Sequence, residues 1–538
     1  MATTEELDAA VVAPEDAGSG NPRFRTGWIE FGWFAIGTIA AAALLVPGHF
    51  WGDDWTLYVR QAEALLHGGV RDVVDDVTFT ARNSTMREFT PEGYPWGTSA
   101  LLTVPLALFG RSIAAMKLTM ALSFGVAVAA WYAVGRRWVG PAAAAGGATL
   151  MMVSLPFLSW TNLIASDIPY LAVVGLTALV FARTSTSATG LRCAAGVGAM
   201  SALGFAFRQE GLAVLLSSLL AIAVLRWNAS ATDGPTVGRK VQDRARTWFR
   251  EVPRDALVSI AVFTVLTALV HLVLPSQLLP RYSAAGPGRI RPNLSFFKRS
   301  IATQFGVYDP VDARVEGFGS PMVGWVLISV FLVAAAAGVW RLGMRHSSLD
   351  VLLLAIAASH AYGALTFPFP DTRYMFVPFG VACFVVAFGV DGLARGAASW
   401  LPAGRSNLVR PAVGAAVLGL LVINQVSPYV TAARGAATAR RIDRPAFSPY
   451  EPEPQEMFVA VRDRTFATDV IAFSAARAMT FFTDRRAVQV RGDDPIPPVA
   501  DWIVVELRPD GTAPIPIGFV EAWRNDRYAL SRLEQVGG

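Results

Sequence analysis

The stretch FGWFAIGTIAAAALLVPGHFWGDDWTLYVRQAEALLHGG, residues 31–69, joins two segments of opposite character. Residues 31–50 contain no Asp, Glu, Lys or Arg, and about 20 such residues are what an α-helix needs to cross the hydrocarbon core of a bilayer. The next segment opens on two adjacent carboxylates, Asp53 and Asp54, followed by aromatic residues. On a helical wheel Trp55, Tyr58, Ala62, Leu65 and Leu66 share one face, with Arg60, Gln61 and Glu63 away from it. That pattern predicts a helix lying in the outer membrane interface. One Asp is enough to cap such a helix. A partly desolvated carboxylate at the lipid–water boundary is also a base placed for a substrate arriving from the membrane. The stretch by itself leaves both readings open.

Uncharged runs of similar length recur at 118–134, 139–166, 256–274, 322–340, 351–370 and 411–433. Of the 538 residues 53% are hydrophobic and 16% charged, against roughly 25% charged in soluble proteins, and the mean hydropathy is +0.42. The chain therefore reads as an α-helical polytopic membrane protein. Its net charge of +5 comes from basic residues in the loops between apolar runs, where membrane orientation accounts for them, so no nucleic-acid partner is implied. Cys193 and Cys383, far apart and in or beside apolar segments, form neither a disulfide framework nor a metal motif.

Residues 1–26, with Glu5, Glu6, Asp8, Glu15 and Asp16 among Gly and Pro, read as a disordered cytoplasmic tail ahead of a retained anchor. The loop from Arg226 to Arg254, rich in Arg and Lys, is cytoplasmic by the positive-inside rule. Counting from it puts Asp167, the Arg208 to Gly211 stretch and TFPFPDTRY (366–374) at the outer surface of a plasma membrane, while Arg23 and Arg25 ahead of the first run put the amino terminus inside and 51–94 outside. Parity fails at PWGTSALLTVPLALFG (95–110): either this short segment is re-entrant or another run is two helices, and 139–166, interrupted by Pro156, is the one expected to split. Eleven to thirteen spans follow, within a membrane domain over 27–428. Its outer loop, 51–94, carries the interfacial helices. In the last segment, 429–538, DVIAFSAARAMTFFTDRRAVQV reads strand, short helix, strand, and ADWIVVEL and RYALSRL read as further strands. This predicts a small extracytoplasmic α/β domain.

The order of features is distinctive. An outer acidic pair follows the first span, with Tyr58 four residues after Asp54. Then come GYPWGTSALLTVPLALFG (93–110), GRRW (135–138), ASDIPYL (165–171), FRQEG (207–211) and DTRYMFVPFG (371–380). This order resembles the GT-C superfamily of membrane glycosyltransferases, and within it the protein O-mannosyltransferase and lipid A aminoarabinose transferase group. The resemblance implies a sugar donor linked to a polyprenyl phosphate and transfer, outside the cytoplasm, to a glycan, lipid or protein acceptor. It also implies that Asp54 is the catalytic carboxylate and Asp167 the second acid, with Asp53 an extra acid or a cap. Arg373 is the expected phosphate contact, since guanidinium groups bind phosphate oxygens bidentately; Tyr374, Tyr58, Arg208 and Glu210 join it as substrate-binding candidates. Where the relatives carry a Lys before Pro-Pro-Leu, this chain has Gly93, Tyr94, Pro95 and Trp96, which leaves either Arg71, Arg82 or Arg87 in the same loop as the phosphate contact or a different donor for this member.

Each of these residues has a plainer alternative. Asp167 could cap the helix that follows it. Arg373 and Tyr374 could be an interfacial anchor and Arg208 and Glu210 a simple pair at a helix boundary, while Lys117 and His360, within predicted spans, could line a cavity or be a snorkelling lysine and a satisfied buried histidine. Asp53, Asp54 and Asp167 are also hard oxygen donors of the kind Mg or Mn prefers, so the metal requirement stays open. The rival functions are a transporter or flippase of a lipid-linked saccharide, for which paired halves with broken helices would be expected, and a non-catalytic cell-envelope scaffold.

Overall fold

A computed structural model describes residues 22–52, 54–85, 93–184, 190–229, 237–276, 285–304, 321–345, 347–400, 402–442, 448–491 and 494–534. The membrane domain runs α1 (Pro22–Ala42), α2 (Asp54–His67), α3 (Val70–Asn83), α4 (Gly97–Phe109), α5 (Ile113–Trp138), α6 (Pro141–Val153), α7 (Leu155–Thr161), α8 (Asp167–Thr184), α9 (Gly190–Phe207), α10 (Gly211–Ala229), α11 (Val237–Val273), α12 (Ile290–Gln304), α13 (Pro321–Gly343), α14 (Ser348–Thr366), α15 (Phe376–Ala398) and α16 (Ala403–Ile442). The C-terminal unit adds α17 (Pro452–Arg464), β1 (Val470–Phe473), α18 (Ala476–Thr483), β2 (Arg486–Gln489), β3 (Trp502–Glu506), β4 (Phe519–Arg524) and β5 (Tyr528–Leu533).

Among the described residues nine helices are long and apolar enough to cross a membrane, and ten if the bent pair α6–α7 is one span. The 21-residue α1 would measure about 31 Å at 1.5 Å per residue, and counting it reaches the lower end of the expected number. The run 139–166 does split: α6 and α7 meet at 56°, with Pro156 in the first turn of α7, where a missing N–H breaks no helical hydrogen bond. The 95–110 segment forms the 13-residue α4, about 20 Å long and so too short to span.

Small residues let the long helices approach closely. A Cβ on Gly389 of α15 would lie 1.8 Å from the carbonyl oxygen of Ala334 on α13, and one on Gly338 would lie 2.1 Å from that of Val385. The core follows α5, with Phe124, Val128 and Trp131 fully buried against Ile168, Leu171 and Phe181 of α8 and Phe384 of α15.

The α2 helix differs from expectation. Trp55, Tyr58 and Ala62 are buried, as predicted, but beneath protein: Leu102 of α4, Met116 of α5 and Phe481 of α18 cover them. Leu57 and Val59, off the predicted face, are buried too. Leu66, placed on that face, is exposed, and Gln61, placed away from it, is buried, so the stripe was legible only over Trp55, Tyr58 and Ala62, and its partner is a protein surface where lipid was expected.

In the C-terminal unit the sheet order is β2-β1-β3-β5-β4, parallel across β2, β1 and β3 and antiparallel across β3, β5 and β4. The strand–helix–strand reading of β1–α18–β2 holds; α17 and β4 were not anticipated. The unit docks through its β2 edge. Thr80 Oγ1 donates to Ala487 O (2.8 Å), Thr85 N to Gln489 O (3.0 Å) and Gln489 N to Ser84 Oγ (2.8 Å), while Asp76 pairs with Arg486 (3.1 Å). Trp51 inserts among Phe458, Phe473 and Tyr528. An otherwise open strand edge is thus covered by the end of α3.

Candidate active site

Four segments at helix ends converge on a cavity of about 520 Å³. Asp54 opens α2, Asp167 opens α8, Arg208 and Glu210 lie in the turn between α9 and α10, and Arg373 sits in a short 3-10 turn, Thr372–Met375, ahead of α15. All five line the cavity, and Phe207, Leu212, Leu216, Phe376 and Val377 supply apolar wall.

Arg373 is the junction. Its Nη1 lies 3.6 Å from Asp54 Oδ2 and 3.8 Å from Asp167 Oδ2, and its Nε lies 3.3 Å from Asp371 Oδ2. The guanidinium is flanked by Trp160 and Tyr374, whose ring centres are 5.0 and 5.2 Å away. Arg208 grips Asp167 Oδ1 and pairs with Glu210 at 2.8 Å. The simple Arg208–Glu210 pair is therefore real but incomplete, because the same guanidinium also serves the second acid. Asp167, its side chain 3% exposed, directs its carboxylate at two arginines, and its Oδ2 accepts no hydrogen bond among the described residues. That is not the geometry of a helix cap.

Asp54 is held from one side. Tyr94 donates to Oδ1 at 2.6 Å and Arg477 Nη1 to the same oxygen at 3.1 Å. Burial pushes its carboxyl up, but Arg373, Arg477 and the Tyr94 hydroxyl outweigh this and hold it below the usual carboxylate range. For Glu210 burial is likewise outweighed, chiefly by Arg208, and its value falls to about 2. Tyr58 stacks on Tyr94 and donates to Ser166 Oγ at 3.2 Å, next to Asp167. Burial raises both tyrosines, so they act as neutral donors.

The loop before Asp54 is fixed to the segment before Asp167. Ile164 N donates to His49 Nε2 (3.0 Å), which leaves the ring proton on Nδ1 facing Phe50 O; burial lowers His49 to about 3, matching this neutral tautomer. Lys117, 1% exposed, donates at 3.0 Å to both Val46 O and Asn162 Oδ1. It neither snorkels nor lines the cavity but clamps the two loops together. His360 does line the cavity and meets Tyr170 OH at 2.8 Å.

Asp53 and Arg87 lie outside the described residues. Arg71 and Arg82 are exposed on α3 and do not line the cavity. Among the described residues no three His, Cys, Asp or Glu side chains are grouped to hold a metal ion: Arg373 stands between Asp54 and Asp167, where a shared ion would have to sit. Sequence reasoning missed Tyr94, which was read only as part of a departure from the family pattern, and Arg477, which nothing in its local pattern marks.

The family model described as dolichyl-phosphate-mannose-protein mannosyltransferase matches residues 94–236. No curated protein matches the chain by sequence. Among solved structures, ArnT from Cupriavidus metallidurans bound to undecaprenyl phosphate aligns with a TM-score of 0.55 at 12% identity, covering 94% of this chain and 98% of that one. The archaeal oligosaccharyltransferase AglB from Archaeoglobus fulgidus, in complex with an inhibitory peptide and a dolichol-phosphate, aligns with a TM-score of 0.51 at 12% identity, covering 89% and 69%. Another structure of the Archaeoglobus fulgidus oligosaccharyltransferase, in complex with Zn and sulfate, gives 0.52 at 11% identity, covering 88% and 68%. The GT-C-like fold expected from the motif order is borne out, in a multi-pass membrane protein with a small C-terminal sheet.

Proposed function

We propose that this protein is a membrane glycosyltransferase that moves a sugar from a polyprenyl-phosphate-linked donor to an acceptor outside the cytoplasm. The observation that carries the reading is the Asp54–Arg373–Asp167 junction in a cavity with apolar walls: the carboxylates of Asp54 and Asp167 both lie within 4 Å of the Arg373 guanidinium. A lipid phosphate is already an acceptable leaving group. The enzyme has to orient the acceptor, take its proton and stabilise the departing phosphate. Arg373 faces the cavity and takes the phosphate; Asp54 Oδ2 takes the proton; Asp167 and Arg208 hold the acceptor and sugar in line. The acceptor oxygen or nitrogen bonds to the anomeric carbon as the bond from that carbon to the phosphate oxygen breaks, and the electron pair leaves with the phosphate. A single displacement inverts the anomeric configuration.

Arg373 and Arg477 make Asp54 a weak base on their own. A phosphate drawn to Arg373 offsets that cation and strengthens the base only once the donor is in place, which ties proton removal to donor binding.

The helix directions favour an outward-facing site. α8, α10 and α15 all begin at the cavity, and their last turns carry Arg183, Arg226 and Arg395, the basic ends that the positive-inside rule assigns to the cytoplasm. The transporter alternative draws less support, because the charged groups gather at one end of the helices.

The test is a panel of radiolabelled polyprenyl-phosphate sugars given to the purified protein and to Asp54→Asn. Transfer by the wild type and a loss of at least ~100-fold in the variant are expected. Undiminished transfer by Asp54→Asn would remove the base assignment, and lipid-linked sugar moved across vesicles without transfer would favour the transporter.

A further inference from the structure

We propose that the C-terminal unit completes the active site, with Arg477 as a positioning residue that engages one oxygen of Asp54 and presents the other to the reacting centre. This rests on the glycosyltransferase reading of the Asp54 site. Arg477 is the second residue of α18, the crossover between β1 and β2, and is only 7% exposed. Its Nη1 lies 3.1 Å from Asp54 Oδ1 and 2.9 Å from Tyr94 OH, and Tyr94 OH donates to the same Oδ1 at 2.6 Å. The guanidinium also lies over the Tyr94 ring, 4.8 Å from its centre. Oδ1 is therefore engaged by two donors. Among the described residues Oδ2 meets only Arg373, at 3.6 Å, beyond hydrogen-bond distance, and is the oxygen placed to accept a proton.

The two arginines divide the work by position. Arg373 lines the cavity and can reach a donor phosphate; Arg477 does not line it and acts through Asp54. Its place depends on the docking of the unit. Phe481, one turn further along α18, packs edge-on against Trp55 at 5.3 Å, beside the residue it serves. Buried Ser448 donates to His49 O at 2.7 Å, tying the C-terminal unit to the loop that leads into Asp54.

The experiment uses the full chain in lipid nanodiscs as wild type, Arg477→Gln, Arg477→Lys and Tyr94→Phe. Transfer kinetics are read together with the rate at which a hydrophobic carbodiimide, which attacks protonated carboxyls, modifies Asp54 at a fixed mildly acidic pH. Among the described residues the groups around Asp54 are Arg373 from the 3-10 turn and Asp371 just before it, Asp167 from α8, Arg208 and Glu210 beyond it, Tyr58 on its own helix, Tyr94 and Arg477; only the last two are changed. Arg477→Gln should raise the modification rate ~10-fold, because losing an opposite charge at this range shifts a carboxyl by about one unit or more, and should lower kcat ~10-fold while leaving KM for the lipid donor within ~2-fold, because Oδ2 is no longer aimed at the reacting centre and the lost alignment outweighs the gain in basicity. Arg477→Lys should restore most of both, and Tyr94→Phe should move both in the same direction by less. A wild-type modification rate in Arg477→Gln, or a raised KM with unchanged kcat, overturns the inference. Modification needs no turnover, so a wild type inactive on every donor would overturn the glycosyltransferase reading while the carbodiimide result still decided whether Arg477 holds Asp54.

Discussion

Replacing Arg373 by Gln removes the cation that stands between Asp54 and Asp167. At an effective dielectric of about 20, unit charges about 4 Å apart interact by about 4 kcal/mol, and Arg373 makes two such contacts, at 3.6 and 3.8 Å. The contact with Asp54 is discounted because that side chain is 36% exposed to the cavity. The contact with Asp167, 3% exposed, is not. Asp167 keeps Arg208, and the desolvation cost of Arg373 itself is recovered on substitution, so the net loss is about 2–4 kcal/mol. Asp167→Asn alone should cost about 1–2 kcal/mol, since Arg208 retains Glu210 and Arg373 retains Asp371. In the double variant no carboxylate at position 167 is left short of a cation, so a coupling of about 2 kcal/mol is expected. The assay is a double-mutant cycle on SDS-driven unfolding in mixed micelles at neutral pH, followed by tryptophan fluorescence. A second cycle with Asp54→Asn should give a smaller coupling, because Asp54 keeps Arg477 and Tyr94. Additive losses in the Asp167 cycle, or a larger coupling to Asp54 than to Asp167, would refute the account of Arg373 as the link whose buried partner is Asp167.

Two further outcomes follow from the packing. His49 is lowered from 6.5 to about 3 by burial, so the unfolded chain binds its proton more readily than the folded one; the stability it contributes is complete above about pH 6.5 and is lost as pH falls towards 3. His49→Gln should flatten the decline of the unfolding temperature between pH 6.5 and 4, and parallel curves for the two proteins would contradict this. Gly389→Ala drives a Cβ to 1.8 Å from Ala334 O, whereas one on Gly419 of α16 meets nothing within 4 Å; size-exclusion profiles should show a several-fold loss of folded protein for the first and none for Gly419→Ala, typical of overpacking a close helix contact.

The membrane architecture was legible because a bilayer imposes a length, and a run of uncharged residues either meets it or does not. The gathering of Asp54, Asp167 and Arg373 was legible for a related reason: each lies at the end of a helix, counting loops from the basic 226–254 segment assigns Asp167 and Arg373 to one face, and Arg23 and Arg25 before the first run assign Asp54 to the same face. Amphipathic spacing is weaker evidence. It marked Trp55, Tyr58 and Ala62 as a covered face, but the same wheel serves lipid or protein, and Phe481 settles which only through the fold. Arg477 was out of reach for a stronger reason. It stands 423 positions from Asp54 on a short helix whose own pattern says only that it packs on a sheet. What brings it to the carboxylate is the register of the β2 edge, Gln489 against Ser84 and Thr85. A shift of one residue there turns alternate side chains to the opposite face and would carry α18 with it. The setting of Asp54 thus depends on a pairing whose strand contacts, apart from the Asp76–Arg486 ion pair, are made by main-chain atoms and small hydroxyls, groups that leave almost no signature in a sequence.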